Sequence, residues 1–354
     1  MSRITGALAL KGMFAGLAMA GAAAAEPPQA PAPLGVFGAD MPAAGKMVFT
    51  LAPSFARMQG GRIGTEEVSP DYIVSNIVSP DTPVGAHLLR LIPKDLTVDT
   101  QAFNFAYGLT RDVTLAASTA AVEKAVNMEA FKGLAGLTPL GAKFGRTEGL
   151  GDSTLAAIVR VHHDPVNRLN FTFGLSLPTG STTDKISLLL PSNTAPAKRG
   201  FYAMQPGSGT VDALPGAAYS GVAGAWSWGL AYRARLPLDR NDQGWRYGDL
   251  HEFNGWSGYS WPSGLEATFR INATTQGAIQ GEDPGIRGFA QGSNPLFYGG
   301  QQVSLYGGLI VGGHAVGLDR MQFGLEAGAP VYQRLNGPQL GRDWQLNFAL
   351  RYKR

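Results

Sequence analysis

The chain has 354 residues, 44% of them hydrophobic, 16% charged and none cysteine, a composition that excludes a disulfide framework, a lipid-anchored cysteine and a thiolate metal centre. Twenty-nine basic residues stand against 26 acidic ones; discarding the first 25 residues removes Arg3 and Lys11 and leaves near neutrality, so nothing points to nucleic acid as a partner. Glycine at 48 and proline at 23 would suit disorder, but 17 Phe, 11 Tyr and 6 Trp set inside alternating segments do not.

Residues 1–25 read as a secretory signal peptide. Arg3 and Lys11 flank a basic start, Met13 to Ala22 is apolar, and Ala23, Ala24 and Ala25 precede Glu26 as a small-residue cleavage site. The proline-rich stretch that follows, 26–45, reads as a periplasmic lead-in to a single barrel domain over 46–354. Its longest weakly polar run, Gly307 to Leu318, falls short of the roughly 17 to 25 residues a membrane helix needs, so any crossing is by strands.

From there a two-residue period dominates. Leu169, Phe171, Phe173, Leu175 and Leu177 alternate with Asn170, Thr172, Gly174 and Ser176; Trp344, Leu346, Phe348, Leu350 and Tyr352 alternate with Gln345, Asn347, Ala349, Arg351 and Lys353. Twelve such segments are predicted: 46–58, 97–109, 112–129, 139–163, 167–178, 209–222, 225–237, 248–261, 263–278, 300–314, 319–334 and 342–353. A turn inside the over-long fourth would raise the count to fourteen. Short links (110–111, 164–166, 223–224, around Pro262, 315–318) alternate with long ones (59–96, 130–138, 179–208, 238–247, 279–299, 335–341). That parity belongs to an all-β, transmembrane, antiparallel up-and-down barrel with short periplasmic turns and long outer loops. Tyr107, Trp226, Trp228, Tyr259, Trp261 and Tyr352 fall near the periplasmic strand ends, as an interfacial girdle would.

Several local patterns resemble one family. Gly149-Leu150-Gly151-Asp152, Leu177-Pro178-Thr179-Gly180 and Gly207-Ser208-Gly209-Thr210 with Asp212 are similar to the outer-membrane transporter barrels of the phenol-degradation meta-pathway type. Gly35-Val36-Phe37-Gly38, Asn241-Asp242-Gln243-Gly244, Pro330-Val331-Tyr332 and Gly337-Pro338-Gln339-Leu340 extend the resemblance over most of the mature chain. It implies a passive channel without catalytic residues. Relatives with Met and His near the first strand have been linked to copper; here Met41, Met47 and Met58 are present and His is absent from that region. Many such barrels end on an aromatic residue read by the assembly machinery, which here would be Tyr352, two residues inward.

If oily faces meet lipid, the polar faces place Arg160, His162, Arg233, Arg235, Glu266, Arg270, Glu326, Arg351 and Lys353 in the lumen. They form either an anion-favouring lining or a set of ion pairs that fills a narrow barrel. The five histidines offer no base and nucleophile on one face: His162 and His163 beside Asp164 point to opposite sides. His162 and His251 lack a carboxylate at ligand spacing, so no metal is expected, nor any cofactor. Asp239, Asn241, Gln243 and Gly244 echo a calcium loop but meet Leu250 where Glu belongs, and Gly207-Ser208-Gly209 lacks the Lys and helix of a phosphate loop. The loop 179–208 carries an oily run, Ile186 to Leu190, that either folds inward or packs on the rim, and Ser69-Pro70-Asp71 reads as a helix start. The expected function is passive passage or binding of small molecules, aromatic or hydrophobic ones included, with outer-membrane lipid and the barrel assembly machinery as partners. A structural or adhesion barrel is the second reading and a lipase-like enzyme the third.

Overall fold

The computed structural model describes residues 32–78 and 89–354; the signal peptide expected over 1–25 lies outside them. Seventeen strands follow in chain order: β1 Met47–Gly64, β2 Glu66–Val68, β3 Leu91–Gly108, β4 Val113–Phe131, β5 Pro139–Leu150, β6 Ser153–His163, β7 Asn167–Leu177, β8 Lys185–Ser187 and β9 Ala197–Arg199. Next come β10 Asp212–Ala223, β11 Trp226–Pro237, β12 Trp245–Arg246, β13 Leu250–Ser260, β14 Leu265–Gln276, β15 Gln280–Gly281, β16 Gly300–Gly312 and β17 Met321–Lys353. Eleven of them, β1, β3, β4, β6, β7, β10, β11, β13, β14, β16 and β17, hydrogen-bond as neighbours in that order, and β17 returns to β1. The ring is closed, antiparallel and up-and-down. Strands β2 and β5 join the same sheet off the ring, against β1 and β4.

The pairing explains two departures from the predicted segments. The fourth is broken at Gly151 and Asp152, but both halves lie along the same strand: Leu150 faces Ala121 and Thr154 faces Ser118. The break therefore interrupts one edge of β4 and adds no hairpin. The last two segments form one strand, whose Gln322–Leu335 stretch pairs with β16 while Leu340 to Lys353 pair with β1.

Turn chemistry sets which end is tight. Gly224 at φ 59 and Gly264 at φ 82 supply the left-handed residues of two short links. In a third, the Asp164 carboxylate accepts the amides of Val166 at 2.8 Å and Asn167 at 2.6 Å, which hold its pKa well below the usual carboxylate range. The long connections gather at the opposite end. There Ser69 caps the expected helix, α1 Pro70–Asn76, by accepting the Tyr72 amide at 3.1 Å, and the helix buries Ile73 and Val74.

Alternation turns the large apolar residues outward, where Phe173 is 64% and Leu230 65% exposed and Phe103, Leu155, Phe269 and Leu325 join them. A belt of this extent is untenable in water. At its turn end Trp226, Tyr259 and Trp261 meet edge to face with centroids 5.0 Å apart. Strands β1, β3 and β4 run 18, 18 and 19 residues against 11 to 13 for β6 through β16 on the ring, so one side of the wall stands higher.

Residues 32–45, part of the stretch expected as a periplasmic lead-in, instead run inside the ring, where inward wall side chains hold them. Asn170 Nδ2 donates to the carbonyls of Gly38 at 2.9 Å and Ala39 at 3.2 Å, and Ala32 and Ala39 pack with Ala218, Ala231 and Trp256. Small residues are required: a Cβ on Gly35 would collide with the Arg270 guanidinium, and Gly38, at φ 84, sits against Thr172.

Replacing outward Phe173 or Leu325 by Arg should cost roughly 2 to 4 kcal/mol if the site lies near a bilayer midplane, whereas Arg at inward Ser118, which faces open space, should be tolerated. Urea titration of the protein folded into lipid vesicles measures the contrast, and equal tolerance on both faces would reject the lipid-facing assignment.

Candidate functional site

The ring encloses a cavity of about 1640 Å³. Lys46, Arg320 and Arg354 line it at the turn end, and Phe297, Tyr298 and Pro338 at the loop end. Its two walls differ in chemistry. Strands β1, β3 and β4 contribute small or apolar side chains, among them Thr50, Ala52, Met58, Leu96, Ala102 and Val126. The facing wall, from β11 round to β17, contributes Arg233, Glu252, Asn272, Gln302, Arg342 and Gln345.

Most charges of the polar wall are matched inside it. Arg270 and Glu326, 4% and 1% exposed, form a two-point pair at 3.0 and 2.7 Å. Arg270 also donates to Asn254 at 2.8 Å and lies over the Tyr306 ring, 3.9 Å from its centroid. Asn347 donates to Glu326 at 2.9 Å, and Gln345 to Asn347 at 2.9 Å, so the ladder continues up β17. Arg233 pairs with Glu252 at 2.9 Å, and Arg351 with Asp40 of the inner segment at 3.2 Å. Glu266 accepts from Ser260 at 3.2 Å and clamps none of these arginines. Lys353 lines the cavity, and Arg160 is buried opposite Asn170 on its inward face.

His162 is a correction. A register shift between Arg160 and His162 sets His162 opposite outward Leu169 and His163 opposite inward Arg168. The bulge reverses the alternation on which the lumen assignment rested; His162 stands outside, 3.2 Å from Asp164. His251 is outward too, stacked on Tyr232 and hydrogen-bonded to it at 2.9 Å. Among the described residues no three His, Cys, Asp or Glu are placed to hold a metal.

Sequence patterns separated by tens of residues meet at the loop end. The Asp152 carboxylate accepts from the Ser208 amide at 3.0 Å, the Ser208 hydroxyl at 2.7 Å and Arg235 at 2.8 Å, and Arg235 also pairs with Asp212. Thr179 donates to the Gly151 carbonyl at 2.8 Å, and Gly180 and Gly207 touch backbone to backbone, with no room for a side chain on either. Asn241 closes its own turn by accepting the Gln243 and Trp245 amides and donates to the Ser208 carbonyl at 2.8 Å. The glycine-rich patterns thus fasten loop roots together, and the calcium-like stretch is a tight turn.

Above this knot the long loops fold inward. Ile186 and Leu188 bury against Leu91, Leu96, Val126 and Met128, while Phe201, Tyr202 and Met204 pack with Trp245, Ile279 and Ile286. Tyr247 donates to the Tyr202 carbonyl at 2.8 Å and Tyr298 to the Gly292 carbonyl at 2.7 Å; burial pushes both phenols above their ordinary pKa. The sequence singled out the oily run Ile186 to Leu190, with Phe201 and Tyr202 further along the same loop, but gave no signal for Trp245 as the centre of this cap. It also passed over Glu252, Asn254, Tyr306 and Arg342 on the polar wall.

No family model and no curated protein matches the sequence. An outer-membrane channel from Pseudomonas putida F1 has the same fold, with a TM-score of 0.57 at 14% identity over 90% of this chain and 98% of the other. The Ralstonia pickettii toluene transporter TbuX superposes at 0.41 with 13% identity, covering 88% of this chain and 90% of its own. The NanC porin superposes at 0.43 with 8% identity, covering 86% and 98% respectively.

Glu326→Gln should destabilise the barrel by roughly 3 to 5 kcal/mol, because it strips the buried Arg270 of its counter-charge. Arg233→Gln should change stability by about 1 kcal/mol or less, since its guanidinium is half exposed to the cavity. Unfolding midpoints of the two variants in vesicles give the comparison, and a lower midpoint for Arg233→Gln would reverse the assignment.

Proposed function

We propose that this chain is a barrel of the bacterial outer membrane through which small molecules pass, or in which they bind, without catalysis. The supporting observation is the cavity lined from Lys46 and Arg354 at one end to Phe297 and Pro338 at the other. Its Met58, Leu96 and Val126 wall suits aromatic or otherwise apolar solutes.

In this reading the barrel makes twelve crossings. Strand β17 has 33 residues, which extended would reach about 110 Å against a hydrocarbon layer of about 30 Å, so it counts as two crossings folded near Asn336 and Gly337. Strands β5 and β6 count as one. The exposed apolar belt meets outer-membrane lipid, the short turns and both ends face the periplasm, residues 1–25 serve as the export signal, and Tyr352 serves the assembly machinery. No cofactor takes part.

The inner segment sets how wide the passage is. Asp40, Leu34 and Gly35 all border the cavity, so deleting residues 32–44 should raise unit conductance in planar bilayers, while the full chain gives a smaller steady conductance. A full chain that stays silent and passes no small aromatic solute into proteoliposomes would overturn the channel reading, and silence with phospholipid hydrolysis would replace it by an enzyme.

A further inference from the structure

Two β-bulges interrupt alternation in β17 at the same height. Val303 faces Tyr332 while Ser304 faces Pro330, which leaves Val331 over; Arg57 faces Trp344 while Met58 faces Arg342, which leaves Asp343 over. Strict alternation would put Gln333 with outward Phe323 and Leu325, and Arg342 with outward Trp344 and Leu346. The bulges turn both into the cavity instead. There Gln333 Nε2 donates to the Arg342 carbonyl at 3.0 Å and the Arg342 amide donates to Gln333 Oε1 at 2.8 Å. Bulges that re-aim a side chain are a recurrent device beside binding sites.

The charge so delivered is not cancelled. Arg342 Nη1 donates to Gln345 Oε1 at 2.7 Å, which also accepts from Tyr306 at 3.2 Å, and both of these partners are neutral. Among the described residues no carboxylate lies within 4.0 Å of Arg342, and its buried Nε has no hydrogen-bond partner. Following the ladder down, Gln345 reaches Asn347 and then Glu326, whose carboxylate is already held by Arg270. The ladder carries two guanidiniums for one carboxylate. Around its upper end Met58, Leu96 and Leu340 present apolar surface to the same cavity.

We infer that Arg342, with Gln333 and Gln345, forms a subsite for the carboxylate of a small aromatic monocarboxylate whose ring lies against Met58, Leu96 and Leu340. A guanidinium fork fits a carboxylate at two points. One guanidinium in excess on this ladder suits a single acidic head, and the apolar surroundings exclude a strongly hydrated dianion. The inference rests on the channel reading and names the class of solute that passage favours.

Calorimetry on the purified full chain in detergent, with benzoate and its uncharged analogue benzamide as probes, tests it. Benzoate should bind about tenfold more tightly than benzamide, the gain expected of a charge-assisted hydrogen-bond pair, and Arg342→Gln should bring the two within about twofold, with Arg342→Lys between. Heat-modifiable migration confirms that each variant is folded. Equal affinities in the unaltered protein, or a preference that survives Arg342→Gln, would overturn the subsite. Flux of the same two probes into proteoliposomes reads the channel separately: benzamide flux without benzoate preference rejects the subsite alone, and preference in binding without flux of either probe rejects the channel and keeps the subsite.

Discussion

A sheet with an oily outer face can exist in a hydrocarbon layer only if it has no edge, because an unpaired backbone N–H or C=O there costs several kcal/mol. The pairing of β17 with β1, from Val48 opposite Lys353 up to Gly64 opposite Leu335, removes that edge. Everything else in the structure follows from the closure. Once the ring is shut, alternation must send one side chain to the outer face and the next into a confined lumen. The lumen then has to be filled, matched in charge, or left open, and this molecule does all three.

Filling falls to residues 32–45 and to the loops. Each is tied down by a few polar side chains: Asn170 donates to carbonyls of the inner segment, and at the loop roots Asp152 accepts from Ser208 while Asn241 donates to the Ser208 carbonyl. Matching falls to the polar wall, where a bare guanidinium would be costly. Arg270 with Glu326, and Arg235 with Asp212 and Asp152, are therefore structural pairs. Of the two roles the sequence left open for these arginines, filling is the one their partners support. The open space lies along the small side chains of β1, β3 and β4.

The strands were legible because alternation is local and a closed ring with an oily outer face leaves it few exceptions. The parity of short and long links was legible for a similar reason: hairpin turns are written in residues such as Gly224, Gly264 and Asp164. What the sequence did not disclose was non-local. Asp152, Ser208 and Arg235 lie far apart in the chain, and only the closed ring brings them within hydrogen-bonding distance. The proline-rich inner segment read as a periplasmic lead-in, and Gly35 and Gly38 reveal its place in the lumen only when Arg270 and Thr172 are seen against them.

Alternation failed at bulges, and there it failed in both directions. At the end of β6 the shift carries His162 out of the lumen to which the period assigned it; on β17 two shifts carry Gln333 and Arg342 in. A bulge costs a ladder hydrogen bond and a regular turn of the strand, so it persists where something compensates. At His162 the compensation is a tight turn closed by Asp164. On β17 the two bulges are compensated by hydrogen bonds to each other through Gln333 and the Arg342 backbone, an arrangement that holds the two halves of the strand together with any side chain at position 342. That backbone pairing therefore explains why the strand bulges but does not explain why the residue it turns inward is an arginine with neutral neighbours. The cation at that one position is what the proposed carboxylate subsite accounts for.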